Sequence, residues 1–232
     1  MRPTFVILKK SKLLKRLVVA YHNMRLQSKT PEDIFTEYYH NNSWGDPNSK
    51  SGSGSNLEQT AELRKALPQL FSKYSINSIL DAPCGDFFWF SKIELGDNIF
   101  YTGADIVAEI ARENTRKYAN PRTKFIQLDL TKDSLPKSDI IIIRDCLVHL
   151  SFKDITAVIN GVKSSGSKYL LTTHFFNRED NHDIATGDWR PLNLARKPFN
   201  FPDPIELVIE DCTEGNGAFS DKSMALWKIS DL

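Results

Sequence analysis

The amino-acid sequence predicts a doubly wound α/β domain, a mostly parallel sheet with helices on both faces, closed by an antiparallel hairpin. Three observations lead there. Short segments that are apolar throughout, such as DIIII at 139–143, alternate along the chain with segments of helical periodicity. Strands without a polar face need cover on both sides, which crossover helices supply in a parallel sheet. After residue 173 the alternation stops, and two apolar runs flank Glu214-Gly215-Asn216-Gly217, the pattern of a terminal hairpin.

In chain order, NNSWGDPNSKSGSGS at 41–55 is Asn-, Gly- and Ser-rich and reads as a loop. Ser55-Asn56-Leu57-Glu58 has capping-box spacing, and Leu57, Ala61, Leu63, Leu67 and Leu70 recur at helical intervals, so a helix is expected over 55–73. Strands are expected at 76–80, 98–104, 124–128, 139–143 and 169–173. Helices are expected over 107–118 and 152–162. About thirty polar, aromatic and Pro-rich residues then lead to strands at 205–209 and 225–229.

A chain of 232 residues can bury one substantial core and carry a tail. With 41% hydrophobic and 25% charged residues it has the composition of a folded soluble domain, which excludes a disordered chain. Cys84, Cys146 and Cys212 are odd in number and widely spaced; they argue against a disulfide framework and for a reducing, cytoplasmic setting. No CxxC or CxxH pair is present, and no metal is expected.

The net charge of +1 hides two unlike parts, a basic amphipathic segment at 1–30 and a domain at 31–232. Residues 1–31 contain eight Lys and Arg and no acid, a charge of +8 that leaves −7 on the remainder of a +1 chain. Leu13, Leu14, Leu17, Val18 and Tyr21 fall at helical spacing, with Lys12, Lys15 and Arg16 on the other face. Helices of this kind lie on anionic membranes, so peripheral membrane contact is one expectation; docking on the chain's own acidic body or a second subunit is the other. No run approaches the roughly twenty apolar residues of a membrane span, and the lysine-interrupted start lacks secretory-signal features. Nothing in the sequence sets an oligomeric state.

The junction SILDAPCGDF at 78–87 closes the first predicted strand with Asp81 and enters a tight turn through Pro83 and Gly85. Ligands of parallel sheets bind at such strand ends. Asp105 ends the second strand in GADI and Asp129 the third in LDL. An acid at the second position is placed to accept hydrogen bonds from both hydroxyls of a ribose, and one at the third to meet an adenine amino group. Each could instead cap a following helix. Three in succession beside a glycine turn favour a nucleoside site. The turn lacks a complete GxGxxG, with Pro83 and Phe87 at glycine positions, and no GxxxxGK[ST] is present, so a nucleoside without phosphates fits best.

These residues, with the strand DIIIIRDCLVHL, resemble class I S-adenosylmethionine-dependent methyltransferases over about residues 35–230. More narrowly, NNSWG, SGSGS, LDAPCGD, RDCLVHLS, GDWRPLNL and DKSMALW resemble a largely uncharacterised bacterial group loosely associated with surface polysaccharide modification. The resemblance implies a Rossmann-like, seven-stranded sheet and S-adenosylmethionine as cofactor. It implies that Asp81, Pro83, Gly85, Asp86 and Arg144 lie beside the methionine moiety, Asp105 holds the ribose, Ile106 packs on adenine, and Asp129 and Leu130 read the adenine edge. Trp44, Ser53 and Ser55 would belong to a lid over the cofactor.

Transfer from a sulfonium to a hydroxyl needs alignment, exclusion of water and a base. Asp145 and His149 are four residues apart after the fourth strand and would share a helix face, an acid orienting an imidazole. His149 is therefore the leading base, and His174, after YLLTT, the second candidate. A metal held by Asp145, His149 and His174 matches no ligand-spacing motif. Trp189 offers a flat contact for a sugar or aromatic acceptor, and Arg190 and Arg196 offer cations. The expected reaction is O-methylation of a small-molecule or glycan acceptor. RNA methylation and a non-catalytic cofactor-binding partner protein are the alternatives; the −7 body argues against nucleic acid, and the three acids against loss of catalysis.

Overall fold

The computed structural model describes residues 12–47 and 49–232, and the side chains of residues 12–17 and 19 fall outside that description. The predicted cations Arg2, Lys9 and Lys10, and the side chains of Lys12, Leu13, Leu14, Lys15, Arg16 and Leu17, therefore lie outside the described residues.

Seven strands form one sheet in the order β3-β2-β1-β4-β5-β7-β6. β1 (Ser78–Asp81), β2 (Phe100–Asp105), β3 (Thr123–Gln127), β4 (Ile140–Ile143) and β5 (Tyr169–Phe175) run parallel. β7 (Lys222–Lys228) lies between β5 and β6 (Glu206–Ile209) and is antiparallel to both. This is the expected doubly wound fold with its antiparallel end.

The uninterrupted isoleucines of β4 explain why both faces need cover. Ile141 and Ile143 pack with Ile155, Val158 and Val162 of helix α5 (Phe152–Ser164) on one side. Ile140 and Ile142 pack with Leu63, Leu67 and Phe71 of α3 (Ala61–Lys73) on the other. All four isoleucines are fully buried, each contributing about 1.5–3 kcal/mol by transfer out of water.

Among the described residues, α1 (Lys12–Gln27) and α2 (Pro31–His40) come before α3 in the chain. α2 has no counterpart among the predicted elements. Its start is well specified: the Thr30 hydroxyl accepts from the Asp33 N–H, the Asp33 carboxylate accepts from the Thr30 N–H, and Pro31 sits where a helix needs no donor. α3 begins at Ala61 rather than Ser55. The Asn56 carboxamide oxygen accepts from the N–H groups of Glu58 and Gln59 at 3.0 and 2.9 Å, and residues 53–55 form a separate single turn, so the capping box expected at Ser55 does not form. Helix α4 (Ala108–Tyr118) joins β2 to β3.

Asp81 and Asp105 close β1 and β2, Asp129 follows β3 by two residues, and Arg144 and Asp145 follow β4. Because β7 runs backwards, its first residue, Lys222, pairs with Phe175 at the end of β5 and so reaches the same edge of the sheet.

Candidate active site

A cavity of about 530 Å³ opens over this edge, within the range of small-molecule sites. At one end its wall is Asp105, Ile106, Val107, Asp129 and Leu130; at the other it is Asp145, His149, Phe175, Trp189 and Lys222, with Asp81 and Gly85 between them.

Asp81 and Asp105 are buried and, among the described residues, enter no salt bridge. Burial pushes the Asp81 carboxyl up to about 7, although it accepts a 2.6 Å hydrogen bond from the Tyr101 hydroxyl. Burial likewise raises Asp105 to about 6, against the N–H groups of Val107 at 2.9 Å and Gly85 at 3.1 Å. Asp129 is different. Burial would raise it, but the Thr131 hydroxyl and N–H, at 2.6 and 2.8 Å, and the Lys132 ammonium hold it below the ordinary value. Its carboxylate makes the local turn that competes with a ligand-reading role, while the residue still lines the cavity.

Residues 49–55 cover the cavity as a lid stitched at both ends. Asp86 accepts from the Lys50 N–H at 2.9 Å and the Ser49 hydroxyl at 3.1 Å, and its own N–H donates to the Ser51 hydroxyl at 3.0 Å. Gly85 has φ +54°, and a Cβ there would stand 2.1 Å from the Ser51 oxygen, so the lid itself requires glycine at this position. At the far end the Arg144 guanidinium donates to the Gly54 carbonyl at 2.8 Å, and the Ser53 hydroxyl donates to Glu214. Trp44 packs against Gly52 and faces the His149 ring at 6.2 Å.

Beneath that end lies a buried charge network. Arg144 pairs with Glu210 at 2.6 Å, and Lys222 pairs with Asp145 at 2.7 Å. Burial alone would raise Asp145, yet Lys222 and Arg144 hold it well below the carboxylate range. Burial opposes charge on Lys222, and Asp145 and Glu210 more than offset it.

His149 sits in a single turn, Leu147–His149, ahead of α5. Its Nδ1 lies 2.9 Å from the Asp188 carbonyl oxygen, which only accepts, so Nδ1 carries the proton and Nε2 keeps a lone pair. Burial lowers its pKa below the ordinary value, leaving the ring neutral near pH 7. The turn is clamped by its neighbour loop: the Gly187 N–H donates to the His149 carbonyl at 2.8 Å, and the Tyr38 hydroxyl donates to the Gly187 carbonyl at 2.8 Å.

The structure brings Trp44, Ser53, Ser55, Asp81, Pro83, Gly85, Asp105, Ile106, Asp129, Leu130, Arg144, Asp145, His149 and Trp189 to one cavity. Four of the predicted residues are placed outside the cavity lining. Asp86 is outside the cavity lining, because its carboxylate is engaged by the lid backbone and hydroxyls. His174 is buried with its ring edge-on to Trp227 and its Nδ1 accepting from the Leu194 N–H; burial lowers it to about 4, and it is not among the residues lining the cavity. Arg190 is 1% exposed and donates to the carbonyls of Leu147 at 2.9 Å, Leu150 at 2.8 Å and His182 at 3.2 Å, so it clamps the His149 turn instead of meeting an acceptor. Arg196 is exposed and away from the cavity.

The predicted Asp145–His149 pair is also absent as a hydrogen bond. Asp145 adopts φ +50° and turns to Lys222, so no early helix carries the two on one face. Among the described residues no group of three His, Cys, Asp or Glu side chains is arranged to hold a metal. Sequence reasoning missed Phe35 and Tyr39 of α2, Trp89, Glu214 and Lys222, all of which line the cavity. The Thr30-Pro31-Glu32-Asp33 pattern is the available signal for α2; Lys222 carries none, since its partner is 77 residues away.

No protein-family model matches the chain, and no curated protein matches it. Solved structures do. Magnesium protoporphyrin IX methyltransferase from Synechocystis PCC 6803 with bound SAM aligns over 86% of this chain and 97% of its own, at 15% identity and a TM-score of 0.55. N-methyltransferase NodS from Bradyrhizobium japonicum WM9 aligns over 73% and 96%, at 14% identity and a TM-score of 0.52. Human N-acetylserotonin methyltransferase in complex with SAM aligns over 87% and 60%, at 14% identity and a TM-score of 0.51. The chain thus spans less than two thirds of the human protein's chain. The fold is the one shared by these methyltransferases.

Proposed function

We propose that the chain is an S-adenosylmethionine-dependent methyltransferase acting on a hydroxyl of a small-molecule or glycan acceptor. The observation that carries the reading is the pair of buried carboxylates, Asp81 and Asp105, ending adjacent parallel strands over one cavity. Burial raises both carboxyls, to about 7 and about 6, and neither forms a salt bridge among the described residues, so a cationic, hydroxyl-bearing ligand such as a nucleoside sulfonium fits the residues present. The SAM complexes among the structural neighbours support the same cofactor.

When bound, S-adenosylmethionine supplies a methyl group on a positively charged sulfur. Asp105 would accept from the ribose hydroxyls, Ile106 would contact the base, and Asp81 would face the amino acid moiety. The lid and Trp44 would exclude water, which would strengthen these contacts and protect the sulfonium. His149 Nε2 would take the acceptor hydroxyl proton. Trp189 and Phe175 would bound the acceptor. His149→Ala is expected to lower turnover about 100-fold, with labelled methyl transfer into lysate fractions as the readout, and to leave SAM affinity within about twofold.

The raised carboxyls set a pH dependence that tests the reading. Both must ionise to hold the ligand, so SAM affinity, measured by calorimetry, is expected to fall as pH drops. The slope should approach about one log unit per pH unit below 7 and about two below 6. Stability of the ligand-free protein moves the other way: these two groups bind protons more tightly folded than unfolded, so their contribution declines as pH rises from about 4 to about 7. Absence of SAM binding at pH 8 would overturn the proposal.

A further inference from the structure

We infer that α1 docks on an anionic lipid surface and seats the loop that holds His149 behind it. Val18, Tyr21 and Met24, at successive three-residue steps of α1, are 61%, 68% and 62% exposed. Large apolar side chains at that spacing on one helix form a stripe that water penalises. Leu14 and Leu17 stand four residues before Val18 and Tyr21, which is also helical spacing.

The C-terminal end of the same helix is anchored. Leu26 is 4% exposed and lies against Gly187, where an added Cβ would stand 3.0 Å from it and 2.7 Å from Ile34 of α2. Arg25 and Lys29 both pair with Glu37 of α2. The docking helix is therefore fastened to the loop whose Gly187 N–H and Asp188 carbonyl hold His149.

Charge selects the occupant. The first 31 residues carry +8, and Arg2, Lys9, Lys10, Lys12, Lys15 and Arg16 all precede Leu17. Cations beside an apolar stripe fit anionic headgroups over an acyl boundary. Two copies of so basic a helix would repel across a two-fold axis. The −7 remainder is repelled by the same bilayer, which orients the chain with α1 toward it.

The test uses the full chain and vesicles of phosphatidylcholine, alone or with about 30% phosphatidylglycerol. Sedimentation should show partitioning about tenfold or more stronger to the anionic vesicles, weakened by salt. Joint replacement Val18→Ser, Tyr21→Ser and Met24→Ser should lower it about tenfold while SAM titration and circular dichroism stay unchanged. That last measurement separates this inference from the methyl-transfer reading. Equal binding to neutral vesicles, no binding, or an unaffected variant would overturn it. So would light scattering that shows a dimer which the triple variant dissociates, since a second copy would then cover the stripe.

Discussion

Asp105→Ala is expected to weaken SAM binding about 100- to 1000-fold, read by calorimetry at pH 8. A carboxylate accepting from two hydroxyls makes two charge-assisted hydrogen bonds, each worth about 1.5–3 kcal/mol, and two at the lower end give that loss. Asp105 also accepts from the N–H groups of Gly85 and Val107, which alanine leaves without a partner. The fold should tolerate this, because burial already pushes the carboxyl up to about 6 and its removal relieves that cost. Asp105→Asn keeps one oxygen acceptor and should lose about tenfold. A loss below about fivefold for alanine, with the fold retained, would mean that the ligand is not held at β2.

Glu210→Ala is expected to cost about 3–5 kcal/mol of folding stability, measured by urea denaturation. Glu210 lies between two buried cations, Arg144 at 2.6 Å and Lys222 at 3.6 Å, whose side chains are 4% and 6% exposed. Removing it leaves Asp145 as the one carboxylate, among the described residues, within salt-bridge distance of both. An uncompensated charge away from water costs far more than the pair gains, so the single change is severe where a joint apolar replacement need not be. Combining Glu210→Leu with Arg144→Met should recover part of the loss in stability. The lid should not recover, since Arg144 also holds the Gly54 carbonyl. A loss under about 1 kcal/mol for Glu210→Ala would show that the network is solvated and slack.

The sheet was legible because burial on two faces writes itself into composition: DIIII admits no solvent side, and Ile140 and Ile142 divide from Ile141 and Ile143 as that requires. The acidic end of the cavity was legible for a similar reason. Asp81 and Asp105 sit at strand ends, and strand ends can be counted along the chain. The acceptor end was not. An arginine amid aromatics reads as an anion binder, and only the folded chain shows Arg190 spent on carbonyls about forty residues away. The spacing of Asp145 and His149 is meaningful only on a helix, and the chain there takes a positive-φ turn instead. Asp86 differs again: a carboxylate beside such a turn can serve a ligand or the lid, and local sequence is the same for both.

The reversed strand β7 has a consequence for how the protein comes into being. It fills an interior slot of the sheet, between β5 and β6, although it is the last strand in the chain. During synthesis β1 to β5 can assemble while β7 is still within the ribosome, leaving the flank of β5 open and Asp145 without its ammonium partner. The end of the crevice lined by Asp81 and Asp105 can therefore form on the nascent chain. The end lined by Asp145 waits for Lys222.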